Sequence, residues 1–334
     1  MAKISLVIDF GSALTNIYLL GGGLVLSEPT VAAVSEGEKG EIKFIGNEAK
    51  RLIGKTSKQT KIVFPVFESE IVNERVAEAV LGGFLKKLGL KSAFGEAALF
   101  TVPCGADASM MSKIKKVASK VGIRKVCFAE SPILSALGQG VALNDSSPCF
   151  IIDMADGSTS IAAVTLDGII AGISVNFGTN KILTDIIDYV SENYGLQIGL
   201  LTAEKLKNEI GSLEKGDSLC AVVNGRDISS GTPRAISLKA CDIAEPVKKY
   251  YDKISEISLA VLKKLPPEVS AEIRHAGIYV SGQGASVYGL SGYFREKFDM
   301  QINVADNPAY SVALGGGLVI GNKDLVKKVA TEFE

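Results

Sequence analysis

The sequence is poor in histidine and cysteine, the side chains that most metal and nucleophile sites need. Its 334 residues include one histidine, His275, and five scattered cysteines with no C-x-x-C pair. A single histidine leaves almost nothing to complete a zinc site, and it disfavours a Ser-His or Cys-His nucleophile. We expect the cysteines to be buried, reduced thiols.

The sequence also lacks an excess of one charge and a long apolar run. Its 36 Lys and Arg residues nearly balance 37 Asp and Glu residues, for a formal net charge of -1. This balance excludes a nucleic-acid binder that works by bulk electrostatics, because such a protein needs a basic surface. Asp9 interrupts the first apolar stretch before it reaches signal-peptide length, and no run approaches the roughly 18 apolar residues of a membrane span. We therefore expect a soluble, cytoplasmic protein of about two domains, without a nucleic-acid partner.

Two segments of the chain, residues 7–17 and 151–161, share one pattern. In each, an apolar run ends in an aspartate, Asp9 or Asp153, and a turn of small residues leads into a second β-rich run. The pattern predicts a β-hairpin with an aspartate at its tip. Two such hairpins predict two related halves that face each other and offer backbone N–H groups to the same anion. A chance likeness between two unrelated hairpins is the alternative.

The remaining segments show helical periodicity and one more glycine-rich turn. Apolar residues recur every three or four positions in several stretches, which predicts helices within 72–88, 110–121, 182–190 and about 242–264. Near the end, a strand from Gly277 leads into a turn that begins at Gly282. A helix is expected from about Ser286, with its N-terminus directed into that turn. Strands that alternate with helices indicate an α/β fold.

Four side chains near these turns suggest a nucleotide site. Asp9 and Asp153 end their strands, where carboxylates can hold the water shell of Mg²⁺ bound to nucleotide phosphates, since magnesium keeps most of its waters. Glu204 and Lys207 lie three apart on one helical face, so both can reach the ribose hydroxyls and adenine edge of one ligand. A surface ion pair is the alternative for this second pair. Each glycine turn alone is weak support for a phosphate site, and the three together are much stronger.

The order of these motifs resembles the actin and heat-shock chaperone ATPase superfamily, and the chain is similar to the bacterial actin MreB family over essentially its whole length, as a divergent member. The matching segments are Asp9 to Asn16, Gly23 to Val31, Gly46 to Lys50, Gly54 to Thr56, Val102-Pro103, Pro132 to Gly138, Ile198-Gly199 with Thr202 to Glu204, Gly231 to Arg234, Pro266 to Glu268 and Gly277 to Leu290. The resemblance implies an actin-like fold of two duplicated halves, each with a mixed sheet flanked by helices. Four subdomains would then surround a nucleotide cleft.

The resemblance also implies a division of the chain. Residues 1–145, together with the C-terminal helix within 309–334, would form the first half, with subdomain IB at about 29–72. Residues 146–308 would form the second half, with subdomain IIB at about 178–240.

The same resemblance implies function, cofactors and partners. The family binds ATP or GTP with Mg²⁺ and self-assembles into double protofilaments that lie on the membrane and guide cell-wall synthesis. The implied partners are further copies of the chain, the inner face of the membrane and the cell-wall or cell-shape machinery. Carried over by motif, the nucleotide-binding residues are Gly11, Ser12, Ala13, Leu14, Asp156, Gly157, Ser158, Thr159, Glu204, Lys207, Gly282, Gln283, Gly284 and Ala285, and the metal is held through water by Asp9 and Asp153.

The chain departs from the family at the position that orients the attacking water. The family's Glu-Glu-Pro is Glu130-Ser131-Pro132 here. A serine cannot act as a carboxylate base, and loss of a water-orienting group costs on the order of 10²-fold in rate or more. Glu130 could substitute if the end of the strand rotated. We therefore expect weak or absent hydrolysis.

A second departure lies in the second turn, where the family's triple glycine reads Ala155-Asp156-Gly157. If the Asp156 carboxylate faces the phosphates, binding must rely on metal to screen its charge; if it faces solvent, the change is nearly neutral. Two other function classes stay open. One is a small-molecule kinase of the same superfamily, which the lack of a carboxylate base disfavours, and the other is a non-catalytic scaffold without nucleotide.

Membrane attachment is predicted from one short stretch, residues 88–95. Leu90 and Phe94 lie beside lysines, so they are expected to dip into an anionic interface. An ordinary surface loop is the alternative.

Overall fold

The computed structural model describes residues 4–37, 40–90 and 97–332. The elements of the first part of the chain are the strands β1 (Ile4–Phe10), β2 (Leu14–Leu19), β3 (Gly23–Pro29), β4 (Ala32–Ser35), β5 (Ile42–Ile45), β6 (Thr60–Val63), β7 (Val66–Phe67), β8 (Glu70–Ile71), β9 (Ala97–Val102) and β10 (Lys125–Glu130), and the helices α1 (Asn47–Lys50), α2 (Glu74–Lys87), α3 (Ala108–Lys120) and α4 (Ser131–Gly138).

The later elements are the strands β11 (Cys149–Met154), β12 (Thr159–Thr165), β13 (Gly168–Val175), β14 (Leu196–Gln197), β15 (Cys220–Asp227), β16 (Pro233–Lys239), β17 (Ile278–Ser281), β18 (Ile302–Val304) and β19 (Thr331–Glu332), and the helices α5 (Asn180–Tyr194), α6 (Leu200–Ile210), α7 (Ala244–Leu262), α8 (Pro267–Ala276), α9 (Leu290–Phe298), α10 (Ser311–Gly321) and α11 (Lys323–Val329).

Two mixed sheets repeat one topology. In the six-stranded sheet, ordered β19-β10-β9-β1-β2-β3, an antiparallel meander of three strands is followed by β9 and β10, which run parallel to β1. In the five-stranded sheet, ordered β13-β12-β11-β17-β18, the meander of β11, β12 and β13 is followed by the parallel strands β17 and β18. The repeat confirms the predicted α/β fold of two related halves.

Three large buried apolar clusters hold the two main sheets together in the described part of the chain. One packs α2 and α3 on the first sheet, and the largest packs α5, α6, α7 and α9 around the second. The third lies between the halves, where Val7, Leu99 and Leu134 meet Ile151 and Val164. The two halves therefore share an apolar base.

Helix positions agree with the sequence periodicity, and their starts have local causes. The Asn73 side chain accepts a hydrogen bond from the Val76 amide at the start of α2, and Asp107 accepts one from Met110 at the start of α3. Both are N-caps that satisfy an amide left free in the first turn. Pro246 lies in the first turn of α7, where it is tolerated, and α7 ends before the Pro266-Pro267 pair.

The predicted helix start at Ser286 is wrong. After Gly282, residues Gln283–Ser286 form one 3₁₀ turn, and α9 begins at Leu290. Tyr288 instead bridges to Ser212, and Gly289 takes a left-handed φ of 80°. Because Tyr288 pairs with this distant residue, the helix begins after the bridge and not directly at the glycine turn.

The last described segments return to the first half. Helix α10 packs against α4, β1 and β2, and β19 pairs with β10 at the edge of the first sheet. No helix in the described part of the chain combines the length and apolar character needed to cross a bilayer.

Candidate functional site

The two hairpin turns face each other across a cavity between the halves. Asp9 of the first half and Asp153 of the second both line this cavity, and so does Ser131 at the start of α4. The other predicted site residues that line it are Gly11, Ser12, Ala13, Leu14, Asp156, Gly157, Ser158, Gly282 and Gln283. The structure thus brings the three predicted turns to one place.

Three of the predicted nucleotide-binding residues lie behind the cavity wall. The Thr159 hydroxyl donates to the carbonyl oxygen of Phe177 at 2.8 Å, and Gly284 offers its own carbonyl to the Tyr251 hydroxyl at 2.8 Å. Ala285 is buried. These residues support the turns rather than face a ligand.

Asp9 sits at the end of β1 in a ring of hydrogen-bond donors. The Thr101 hydroxyl donates to its Oδ1 at 2.7 Å, and the Asn16 amide donates to its Oδ2 at 3.0 Å. Burial raises the pKa of Asp9, and these two hydrogen bonds oppose the shift. The Oδ1 atom of Asn16 is itself buried without a partner in the described structure.

Asp153 occupies the matching position at the end of β11. The Ser281 hydroxyl donates to its Oδ1 at 2.9 Å, and Ser281 in turn lies 2.5 Å from the hydroxyl of Ser135. Burial raises the pKa of Asp153 to about 6; the bond from Ser281 opposes this shift and the charge of Asp9 adds to it. The two carboxylates are therefore buried close enough to disfavour each other's charge.

These residues fit a hydrated divalent cation. No lysine, arginine or histidine is among the described residues that line the cavity, so the two carboxylates have no counter-charge there. The described part of the chain also contains no group of three or more His, Cys, Asp or Glu side chains that could enclose a metal directly. Two carboxylates without further protein ligands suit Mg²⁺, which keeps most of its waters.

The third turn is shaped by its contact with β11. Gly282 has a left-handed φ of 80°, and a Cβ there would overlap the backbone of Met154. Its amide donates to the carbonyl of Pro308 at 2.9 Å. Only glycine can bring the chain this close to the second hairpin, which places Gln283 at the cavity.

The two predicted catalytic side chains point in different directions. The Ser131 hydroxyl lines the cavity and lies 3.5 Å from Ser160 Oγ. Glu130 instead accepts the Gly105 amide at 2.8 Å through its Oε1 and does not line the cavity. The substitution of Glu130 for the missing carboxylate would require that bond to break.

Asp156 lines the cavity between the hairpin turns, and its surroundings include the basic group of Lys207. Burial raises the pKa of Asp156, and the charge of Lys207 is the largest opposing influence. Burial likewise lowers the pKa of Lys207, with the charge of Asp156 opposing. Asp156 and Lys207 are thus an interacting pair on the second-half side of the cleft.

Glu204 does not face Lys207 alone. Its Oε1 lies 2.7 Å from Nζ of Lys50, which belongs to α1 on the opposite wall. Lys50, Glu204 and Asp156 line a second, mostly apolar cavity at the mouth of the cleft, together with Phe64 and Leu200. Of the predicted ligand pair, Glu204 therefore lies at the mouth of the cleft, whereas Lys207 lines neither cavity.

Several site residues were missed from the sequence, namely Asn16, Thr101, Ser281 and Ser69. Thr101 lies near the end of β9 and Ser281 is the last residue of β17, the parallel strands beside β1 and β11. That repeat of a hydroxyl at the end of the neighbouring strand is a signal that could have found both. Asn16 lies opposite Asp9 in the first hairpin. The predicted hairpin therefore already implied that these two residues are neighbours.

Of the two predicted membrane residues, the structure describes only Leu90. Leu90 is half-buried and packs against the first apolar cluster. Phe94 lies outside the described residues.

A family model and two characterised proteins match the chain over nearly its whole length. The family model described as MreB/Mbl protein matches residues 3–328. The chain is 32% identical to the cell shape-determining protein MreB of Escherichia coli (strain K12) over 326 residues, covering 96% of this chain and 94% of that protein. It is 30% identical to the cell shape-determining protein Mbl of Bacillus subtilis (strain 168) over 325 residues, covering 96% and 97%.

Solved structures agree with this match. The crystal structure of MreB5 of Spiroplasma citri bound to ADP superposes with a TM-score of 0.90 at 26% identity, covering 96% of this chain and 97% of that one. The same protein bound to AMPPNP gives a TM-score of 0.89, with 96% of each chain covered. The MamK double helical filament, at 19% identity, a TM-score of 0.77 and coverage of 95% and 99%, shares the fold.

Proposed function

The chain belongs to the MreB/Mbl family and has its actin-like fold, and from that premise we propose that it binds a nucleoside triphosphate with Mg²⁺ and assembles with further copies of itself into filaments. We include in the proposal the division into a first half of residues 1–145 with 309–334 and a second half of 146–308. The cell-shape role comes from the names of the relatives, and a position at the inner face of the membrane goes with it.

One observation carries the proposal: two buried aspartates without a counter-charge face each other between three small-residue turns. Asp9 and Asp153 would hold the water shell of Mg²⁺ bound to ATP or GTP, and that ion neutralises phosphate charge when bound. The turns at Ser12, Ser158 and Gly282 would hold the phosphates. The Spiroplasma relative, bound to ADP in one structure and to AMPPNP in another, supports this assignment.

We propose that hydrolysis is slow or absent in this chain. Ser131 lies where a water-orienting carboxylate is expected, and a hydroxyl of ordinary basicity is a poor proton acceptor. Glu130 is held by the Gly105 amide. The role of the nucleotide would then be to stabilise the closed cleft and the filament, with slow turnover.

The test combines binding and assembly. Titration calorimetry should show binding of AMPPNP in the presence of Mg²⁺ to the wild-type chain, and Asp153→Asn should weaken the dependence on Mg²⁺. With the same ligands, sedimentation and negative-stain microscopy should show filaments. A chain that stays monomeric under all nucleotide and salt conditions would refute the filament proposal. Asp153→Asn, measured in the same assembly assay, is the matched control for the wild-type chain.

A nucleotide-free scaffold is the second candidate, and one observation favours it. The cleft mouth is spanned by an ion pair of the chain itself, since Lys50 Nζ lies 2.7 Å from Glu204 Oε1. A mouth that its own side chains hold closed needs no ligand to close it. Absence of heat with ATP, ADP, GTP and GDP, alongside normal filament formation, would establish this candidate instead.

A further inference from the structure

Three polar residues follow one face of α4, a helix that is otherwise apolar. Ser131, Ser135 and Gln139 are spaced by four residues, so they lie above one another along the helix. Ser131 lines the cavity, and Gln139 is half-buried at the other end of α4. Ser135 is fully buried between them, in a helix whose apolar side chains belong to the base that the halves share. A hydroxyl buried in such a place needs hydrogen-bond partners.

The partners of Ser135 connect it to Asp153. Ser135 Oγ lies 2.5 Å from Ser281 Oγ, and the Ser281 hydroxyl donates to Asp153 Oδ1 at 2.9 Å. At its other side Ser135 Oγ accepts the side-chain amide of Gln139 at 3.2 Å. The three bonds form one chain of polar groups, which runs from the end of α4 to the aspartate proposed to hold the metal.

The number of available hydrogens fixes the direction of every bond in this chain. A serine hydroxyl carries one hydrogen, and Ser281 gives its hydrogen to Asp153. The Ser135 hydroxyl must therefore donate to Ser281, while its oxygen accepts from Gln139. All three donors thus point towards the carboxylate. Bonds aligned in this way polarise one another, so each favours the negative charge at the end of the chain.

The same bonds tie α4 to the second sheet. Helix α4 packs against α10 and β10 as well as against β11. Asp153 and Ser281 are register partners on the neighbouring parallel strands β11 and β17, and Ser281 directly precedes Gly282 of the third turn. The hydrogen bond from Ser135 therefore holds a metal-site carboxylate and the start of a glycine turn against one helix.

We propose that Ser135 is a positioning residue for the metal site: through Ser281 it holds the Asp153 carboxylate in one orientation and so strengthens the binding of Mg²⁺. The inference rests on the proposed binding of a nucleotide with Mg²⁺. Ser135 is not among the described residues that line the cavity, so it acts only through its neighbour. Outer hydrogen bonds orient the groups that hold a metal, and their loss commonly costs about ten- to a hundredfold in metal affinity. Ser135 is one bond further from Asp153 than Ser281 is, so its effect should be the smaller.

The test is the Mg²⁺ concentration that gives half-maximal binding of AMPPNP, measured by titration calorimetry on the full chain. We expect Ser135→Ala to raise this concentration about threefold or more, and Ser281→Ala about tenfold or more. At saturating Mg²⁺ the Kd of Ser135→Ala for AMPPNP should stay within about twofold of the wild type, because the metal is then bound in both. Ser255→Ala is the matched control and should change neither value. Ser255 is also a buried helical serine, and its hydroxyl donates within α7 to the carbonyl of Tyr251 at 2.8 Å.

A double-mutant cycle shows whether Ser135 acts through Asp153. Asp153→Asn removes the charge that the chain of bonds orients. In that background Ser135→Ala should raise the required Mg²⁺ concentration no further, since its effect in the wild type depends on this carboxylate. A serine that only supported the fold would weaken AMPPNP binding equally in both backgrounds.

Three results would overturn the inference. An unchanged Mg²⁺ requirement in Ser135→Ala would show that its hydroxyl does not influence the metal site. Equal weakening of AMPPNP binding at low and at saturating Mg²⁺ would show a general effect on the cleft. A further loss in the Asp153→Asn background would assign the effect to another group. A wild-type chain that binds no AMPPNP, or binds it equally well without Mg²⁺, refutes the proposed function itself, and that result precedes any variant.

Discussion

At the residue scale, the cleft is governed by two buried carboxylates whose charge is disfavoured. Asp9 and Asp153 both have a raised pKa because they are buried, and hydrogen bonds from Thr101, Asn16 and Ser281 offset only part of the shift. The chain keeps these groups at a cost in stability, since an ionised carboxylate without a counter-charge is poorly solvated inside a protein. Residues kept at such a cost are typical of functional sites.

The raised pKa of Asp153 predicts a pH-dependent stability. The pKa is about 6 in the folded chain against the ordinary aspartate value of 3.8, so between about pH 4 and pH 6 the folded state binds more protons than the unfolded state. The free energy of unfolding contributed by this group therefore falls as pH rises through that interval, by up to about 3 kcal/mol. Asp153→Asn removes this contribution, so the free energy of unfolding of the variant should increase relative to that of the wild type as pH rises. Urea unfolding without divalent cations measures this free energy for both proteins. If it changes in parallel for the two from pH 4 to pH 7, the prediction is wrong.

Ser131 carries a second prediction at this scale. Because it lines the cavity beside both aspartates, Ser131→Glu places a carboxylate where water can be oriented. Phosphate release from ATP should rise by about tenfold or more. Ser131→Gln, of similar size and without charge, is the control and should leave the rate low. An unchanged rate in Ser131→Glu would mean that Asp156 or the cleft geometry limits turnover.

At the scale of elements, α4 packs closely against α10. A Cβ at Gly138 would overlap the carbonyl of Ser311, and one at Gly315 would overlap the carbonyl of Leu134. The two helices therefore approach through their backbones. Since α4 begins at Ser131, this contact also fixes the position of that side chain at the cavity.

Gly315→Ala tests this packing. The added methyl group has no space beside the Leu134 carbonyl, so the free energy of unfolding should fall by about 1–3 kcal/mol or more. Gly292→Ala is the matched control in α9, where nothing lies within 4 Å of the new Cβ and the residue is exposed. That change should stabilise by about 0.5–1 kcal/mol, because alanine has the higher helix propensity. Chemical denaturation of both variants gives the comparison, and similar effects of the two would contradict the packing argument.

Local patterns were sufficient to predict the elements that build the site. The hairpins ending in Asp9 and Asp153 and the helices α2, α3, α5 and α7 follow from strand alternation, helical period and proline position. The start of α9 could not be predicted, because it depends on the bridge between Tyr288 and Ser212. Ser69 was missed for a similar reason, since its partners Ser12 and Ser158 are 57 and 89 residues away.

At the scale of the whole molecule, the two halves are joined by an apolar cluster at the base of the cleft and by an ion pair at its mouth. The shared apolar cluster forms the base. At the mouth, the ion pair of Lys50 and Glu204 spans the cleft beside apolar side chains of both walls, including Phe64 and Leu200.

Loss of the cross-cleft ion pair should open the mouth. Both partners are about one-third exposed, so Lys50→Ala should shift the opening equilibrium by no more than about fivefold. The chain has no tryptophan, so Phe64→Trp adds a single tryptophan at the cleft wall. Excited selectively over tyrosine, its emission should move to longer wavelength when the mouth opens. Lys205→Ala is the control, because Lys205 pairs with Glu209 within α6. Identical emission and quenching in the two alanine variants would contradict a clasp across the cleft.

The return of α10 and β19 to the first half has a consequence for the order in which the molecule is made. The second sheet and its helices are complete by Val304, the last residue of β18. The first sheet still lacks its edge strand then, and the surface of α4 that receives Gly315 is uncovered. On the ribosome, the second sheet and its helices should therefore fold before the first sheet is complete, although they are translated later. Until the segment 311–332 is made, the first half keeps an apolar face exposed to chaperones.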